Sequence, residues 1–73
     1  MQKLLLVAKN EYSFNKLKIH FIDSSLSIDG INIEFKTFTF EVADNIDADN
    51  LEREINIDLS KYNDISYYFE IED

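Results

Sequence analysis

Carboxylates are the residues of this chain with the most chemistry to offer. Fifteen Asp and Glu stand against seven Lys and Arg, for a net charge of −8. They are unevenly placed. Residues 1–40 hold five lysines against Glu11, Asp23, Asp29 and Glu34, a net of +1. Residues 41–73 hold eleven acids against Arg53 and Lys61, a net of −9. Such segregation creates a directional field that draws cationic partners to one half of the molecule. Carboxylates at these spacings have three uses: holding a cation, moving a proton, or meeting a basic surface.

The first two uses fail on spacing and size. Asp47-Ala48-Asp49 opens like a calcium loop, but Glu52 stands where the sixth position needs glycine, and Asp58 where the twelfth needs glutamate. An acidic capped loop is the expectation there. With no cysteine and His20 as the one histidine, no zinc set can be assembled. His20 has no serine or cysteine context and reads as a packing or surface residue. Glu54 and Glu70 could serve as a glycosidase pair only inside a cleft that desolvates one of them. A 73-residue domain hardly affords such a pocket beside its core. We therefore expect a non-enzyme without metal or cofactor, working through protein contact.

The length sets one domain over residues 1–73. A domain this small buries too little surface to be robust alone, and without cysteine its remaining device is association. Period-two alternation dominates and predicts a mainly β fold, α+β at the margin. Leu4 to Ala8 reads as a central strand and Asn10 to Asn15 as a connection. Asp29-Gly30, at the only glycine, reads as a type I′ turn closing a long hairpin from about Lys16 to Val42. Its apolar residues change parity along its length. Leu17, Ile19, Phe21, Phe38, Phe40 and Val42 take one face, and Leu26, Ile28, Ile31 and Ile33 the other. Either paired bulges near Asp23-Ser24 and Lys36-Thr37 restore one face, or the tip buries itself elsewhere. The simpler outcome is a homodimer with Leu26, Ile28, Ile31 and Ile33 at its interface.

A short helix is expected near residues 47–54, capped by Asp47 or Asp49, with acids suited to the helix dipole. Ile55, Ile57 and Leu59 then alternate toward a second hairpin with Ile65, Tyr67, Phe69 and Ile71, joined through Ser60 to Asp64. Helix or strand stays open for residues 47–59, since Leu51, Ile55 and Leu59 also match helical spacing. In the hairpin register Glu54 faces Glu70, an unfavourable like-charge pair that no lysine near in sequence relieves. Acids two apart on one strand face repeat about every 6.6 Å, an array fit for arginines and lysines that normally take phosphates. Asp44, Asp47, Asp49, Glu52, Glu54, Asp58, Glu70 and Glu72 form the expected contact set, with Tyr68 as an interface anchor among them.

A short, cysteine-free, acidic, β-rich chain with many Asn, Ile, Lys and Asp resembles the phage-encoded inhibitors that mimic DNA. The resemblance covers overall character along the chain, with no motif matched residue by residue. It implies a cytoplasmic protein that blocks the DNA-binding surface of a bacterial nucleic-acid-handling protein, such as a sliding clamp, nuclease or CRISPR effector. A chain of this charge is not expected to bind nucleic acid itself. The apolar run Leu4–Ala8 is too short for a signal-peptide core or a membrane span. Two other readings share the residues: an immunity protein or antitoxin neutralising a basic toxin, and an assembly subunit associating through the hairpin tip.

Overall fold

The computed structural model describes residues 2–24 and 26–72. The chain folds as mixed α+β, with four antiparallel strands and two helices. The first strand, β1 (Gln2–Ala8), leads into α1 (Glu11–Ile22). A short strand β2 (Gly30–Asn32) and then β3 (Thr37–Val42) follow, and α2 (Asn45–Leu59) returns the chain to β4 (Tyr67–Glu72). The sheet order is β2-β3-β1-β4. Since β3 and β4 both run antiparallel to β1, they are parallel to each other, and α2 is the crossover that parallel strands require.

The alternation in β1 places Leu4, Leu6 and Ala8 on one face, against Phe38, Phe40 and Val42 of β3 and Phe69 and Tyr67 of β4. Both helices lie over that face. Phe14 and Phe21 of α1 meet Phe38, each at 5.2 Å between ring centroids, and Phe21 meets Phe40 at 5.6 Å. Ala48, Ile55 and Leu59 of α2 complete the buried cluster. No helix of the described residues is long and apolar enough to cross a membrane.

The N-terminal strand, the 47–54 helix and a strand through Phe69 are present, but the expected hairpins are not. Residues 16–22, read as the base of the first hairpin, belong to α1. Leu17, Ile19 and Phe21 alternate, yet Leu17 and Phe21 join Phe14 at helical spacing while Ile19 is 63% exposed. Asn10 decides the matter locally: its side chain accepts the Ser13 N–H at 2.7 Å and caps the helix start. His20 accordingly sits on α1, with Nδ1 3.3 Å from the Tyr62 hydroxyl, between the Phe21 and Tyr62 rings.

The turn is also elsewhere. Gly30 lies in β2 without a positive φ, and the chain reverses over residues 33–36. There Lys36 takes a φ of 53°, Asn32 Oδ1 accepts the Phe35 N–H at 3.1 Å, and Thr37 Oγ1 donates to the Phe35 carbonyl at 2.9 Å. No paired bulges are needed: Asp23 is the C-cap of α1, and Lys36 ends the turn. No continuous pleat joins the two apolar sets: Leu17 and Phe21 are helical, Leu26 and Ile28 lie between α1 and β2, and Ile31 pairs with Phe38 of β3. Leu26 and Ile28 pack against the core, whereas Ile31 and Ile33 stay exposed. Of the four residues expected to share a dimer interface, two are thus engaged with the core and two are left open.

Gly30 has nothing within 4 Å of where a Cβ would sit. Gly30→Ala is expected to raise stability by about 0.4–1 kcal/mol through the unfolded chain, read as a shift in urea midpoint. A turn glycine of type I′ would instead lose stability on the same change.

Candidate functional site

Six of the nine expected contact residues lie on or beside one helix. Asp44 caps α2, and Asp47, Asp49, Glu52, Glu54 and Asp58 lie within it. The other three, Tyr68, Glu70 and Glu72, alternate along β4 away from the helix layer, because Tyr67 and Phe69 turn toward the core. Glu54 and Glu70 are thus not a cross-strand pair. Glu70 stands opposite Leu5 of β1, and Glu54 is helical. Ile57, which shares the parity of Ile55 and Leu59, is 67% exposed, as a helix requires and a strand would not. Asp73 lies outside the described residues.

The α2 acids divide by role. Asp44 Oδ1 accepts the Asp47 N–H at 2.8 Å, and Asp47 Oδ2 accepts the Ala43 N–H at 2.9 Å. This reciprocal pair satisfies backbone donors that the first turn leaves open, and places negative charge at the positive end of the dipole. Asp44 is therefore the cap, one turn earlier than expected. Asp49, Glu52, Glu54 and Asp58 have no such duty. Among the described residues none of them has a lysine or arginine in salt-bridge contact; the one salt bridge joins Lys3 Nζ to Asp29 at 3.5 Å.

Asp49, Glu52, Arg53, Asn56, Ile57 and Ser60 line an open groove of about 560 Å³. Their spacing of three and four residues keeps them on one side of α2. Asn56 Oδ1 accepts the Tyr67 hydroxyl at 2.8 Å, so this side of the helix is the one tied to β4. Burial pushes the Tyr67 phenol up from its ordinary value, which keeps it protonated as the donor in that bond. Glu54 and Asp58 take the other flank of the helix, one turn apart.

The sheet face away from the helices is a second charged surface. Lys3 is the register partner of both Glu41 and Glu72, so the row alternates in sign, and Asp29 joins it through the salt bridge. The cation that offsets the β4 acids is therefore far off in sequence, where local reading did not find it. The next rows are Thr39, Leu5 and Glu70, then Thr37, Val7 and Tyr68. Lys9 Nζ lies 6.0 Å from the centre of the Tyr68 ring. Tyr68 is 43% exposed on this face.

Asn56, Ile57, Arg53 and Ser60 entered no sequence expectation as contacts. Their helical grouping was the available signal, hidden by the alternation of Ile55, Ile57 and Leu59. Among the described residues no three Asp, Glu or His side chains converge as a metal site would. No family model, curated protein or solved structure matches the chain.

The cap and the groove acids should separate on mutation. Asp44→Ala is expected to cost about 1 kcal/mol of stability, whereas Glu52→Gln and Asp49→Asn should each change it by less than about 0.5 kcal/mol, measured by urea unfolding. A distinct test concerns Asp64, whose carboxylate accepts the Tyr12 hydroxyl and titrates below the ordinary value of 3.8 for that reason. A depressed carboxyl contributes stability that is full above its unfolded pKa and is lost as pH falls through the folded one. Tyr12→Phe should raise the Asp64 midpoint toward 3.8 in a carboxyl NMR titration.

Proposed function

We propose that the chain is a non-catalytic inhibitor that lays the acidic flanks of α2 on the basic, DNA-binding surface of a bacterial nucleic-acid-handling protein. The observation that carries this reading is the set of α2 carboxylates without a cationic partner among the described residues. A helix of 15 residues is roughly 22 Å long at 1.5 Å per residue. Its four acids outside the cap, Asp49, Glu52, Glu54 and Asp58, spread over roughly 14 Å of that axis, about 4.5 Å between neighbours against ~3.4 Å per phosphate of each duplex strand. Guanidinium groups that grip phosphates take carboxylates bidentately with little rearrangement. Steering by the acidic half speeds encounter, and occupation of the basic site excludes DNA. Asp49, Glu52, Glu54 and Asp58 are the contact residues; Asp44 and Asp47 hold the helix that presents them. The cytoplasm is the compartment in which such a target would be met.

An antitoxin against a basic toxin would use the same surface, with one cognate enzyme as its target. A second reading, self-association, draws on the hairpin tip: Ile33 and Phe35 are 72% and 67% exposed, beside Ile31. A homodimer through these three residues would show as a two-fold mass in sedimentation, lost on Ile33→Ser with Phe35→Ser.

Affinity capture from a bacterial lysate is expected to recover a DNA-binding protein that duplex DNA displaces. Its log affinity should fall linearly with log salt, as for a phosphate-contacting site. Glu54→Lys with Asp58→Lys should weaken capture at least about tenfold while the unfolding midpoint stays within about 0.5 kcal/mol of the parent. Salt-independent capture, or capture unchanged by the double reversal, would overturn the reading.

A further inference from the structure

Among the described residues, the outer edge of β4 is the one long strand edge left open. β4 is hydrogen-bonded to β1 alone and closes the sheet order on that side, while the opposite edge strand, β2, is three residues long. Outward amide and carbonyl groups of Tyr67–Glu72 therefore form a template for another strand. The usual guards against pairing are thin here, since Tyr-Tyr-Phe-Glu-Ile-Glu contains no proline and no lysine.

The two faces of β4 state what would fit. On the helix side Phe69 and Tyr67 are half-buried and Ile71 is 45% exposed, so their outer flanks lack the neighbouring strand that covers the equivalent residues of β1. On the other side Tyr68, Glu70 and Glu72 follow one another, and Lys3 offsets Glu72 from the inner side only. A second copy is a poor occupant. Two β4 strands paired antiparallel would put the Glu70 and Glu72 side chains of both copies on one continuous face, as like charges. A cationic strand meets the opposite condition: the glutamates that repel a second copy attract it. The flank of α2 tied to this edge through Asn56 and Tyr67 adds Asp49 and Glu52.

We infer that the β4 edge binds an extended segment of a basic partner, one in which Lys or Arg alternates with apolar residues, by adding it as a fifth strand. Main-chain hydrogen bonds supply affinity, the basic side chains face Glu70 and Glu72, and the apolar ones cover Phe69 and Ile71. The inference rests on the reading of the chain as a binder of basic proteins, and assigns part of the binding to a surface other than the helix.

The test uses the full chain and a short synthetic peptide of alternating lysine and valine, followed by fluorescence anisotropy. Binding is expected to fall at least about tenfold when the peptide amides are N-methylated, because the charges remain and the strand hydrogen bonds do not. It should fall similarly with Glu70→Lys and Glu72→Lys, exposed changes that leave the core intact, and distinctly less with Glu54→Lys and Asp58→Lys, which remove the same net charge at a distance from the β4 edge. Equal binding of the methylated peptide, or no binding of either peptide, overturns strand addition. Loss with the α2 reversals but not with the β4 reversals also overturns it, while leaving the helix reading in place. Loss of DNA-sensitive capture with peptide binding retained would remove the helix reading alone.

Discussion

Everything in this small domain depends on β1 being paired along both of its edges. Without cysteine to cross-link the chain, the core rests on one apolar strand that the flanking strands must find from opposite directions. Leu4 and Leu6 are fully buried because β3 and β4 flank them and both helices roof them. The pairings of β1 span most of the chain, Leu6 with Phe38 on one edge and with Phe69 on the other. Contacts this distant cost loop entropy before they return anything, so β1 and β4 join late or together with the packing of α2.

That arrangement also distributes the charge. With both helices on one face, the sheet keeps a bare face where Lys3 stands between Glu41 and Glu72. The lysine-bearing N-terminal strand thereby enters the acidic half and relieves it on the sheet side. It does nothing for α2, which lies across the core. Opposite charges across a strand pair contribute about 0.2–1 kcal/mol, and the sheet collects that gain while the helix does not. The imbalance read along the sequence thus resolves into a sheet face with Lys3 in register among its acids and a helix with Arg53 alone beside its own.

Legibility followed the range of the deciding contact. β1 and the outward parity of Tyr68, Glu70 and Glu72 were readable because alternation suffices for a strand with one buried face. The helix near Asp47 was readable in position but truncated at Glu54, since Ile55, Ile57 and Leu59 satisfy both a strand pattern and, through Ile55 and Leu59, a helical one. Only exposure of Ile57 separates them, and exposure is tertiary. α1 was missed for the same reason, although Asn10 followed by Phe14, Leu17 and Phe21 carried a cap and a helical stripe. Asp29-Gly30 misled in another way. A sole glycine before an alternating run invites a turn, yet Asn32 and Thr37 hold a turn that needs no glycine and place Lys36 at positive φ instead.

The same error reached the candidate acids. Reading α2 as a strand put its acids beside those of β4 and invented a repulsion between Glu54 and Glu70. Folding removes that repulsion by sending the two groups to opposite sides of the sheet. What remains unexplained by stability is narrower and stronger. A helix whose sole requirement was to cover β1 would need Ala48, Ile55, Leu59 and the capping pair Asp44 and Asp47. Exposed positions 54 and 58 would be served as well or better by lysine at either one, which would pair with the acid at the other and suit the C-terminal half of the dipole. The last turn of α2 has no basic residue and instead carries Asp58. An acid at that end of a helix is mildly unfavourable, so Asp58 is the member of the acidic half that helix stability explains least.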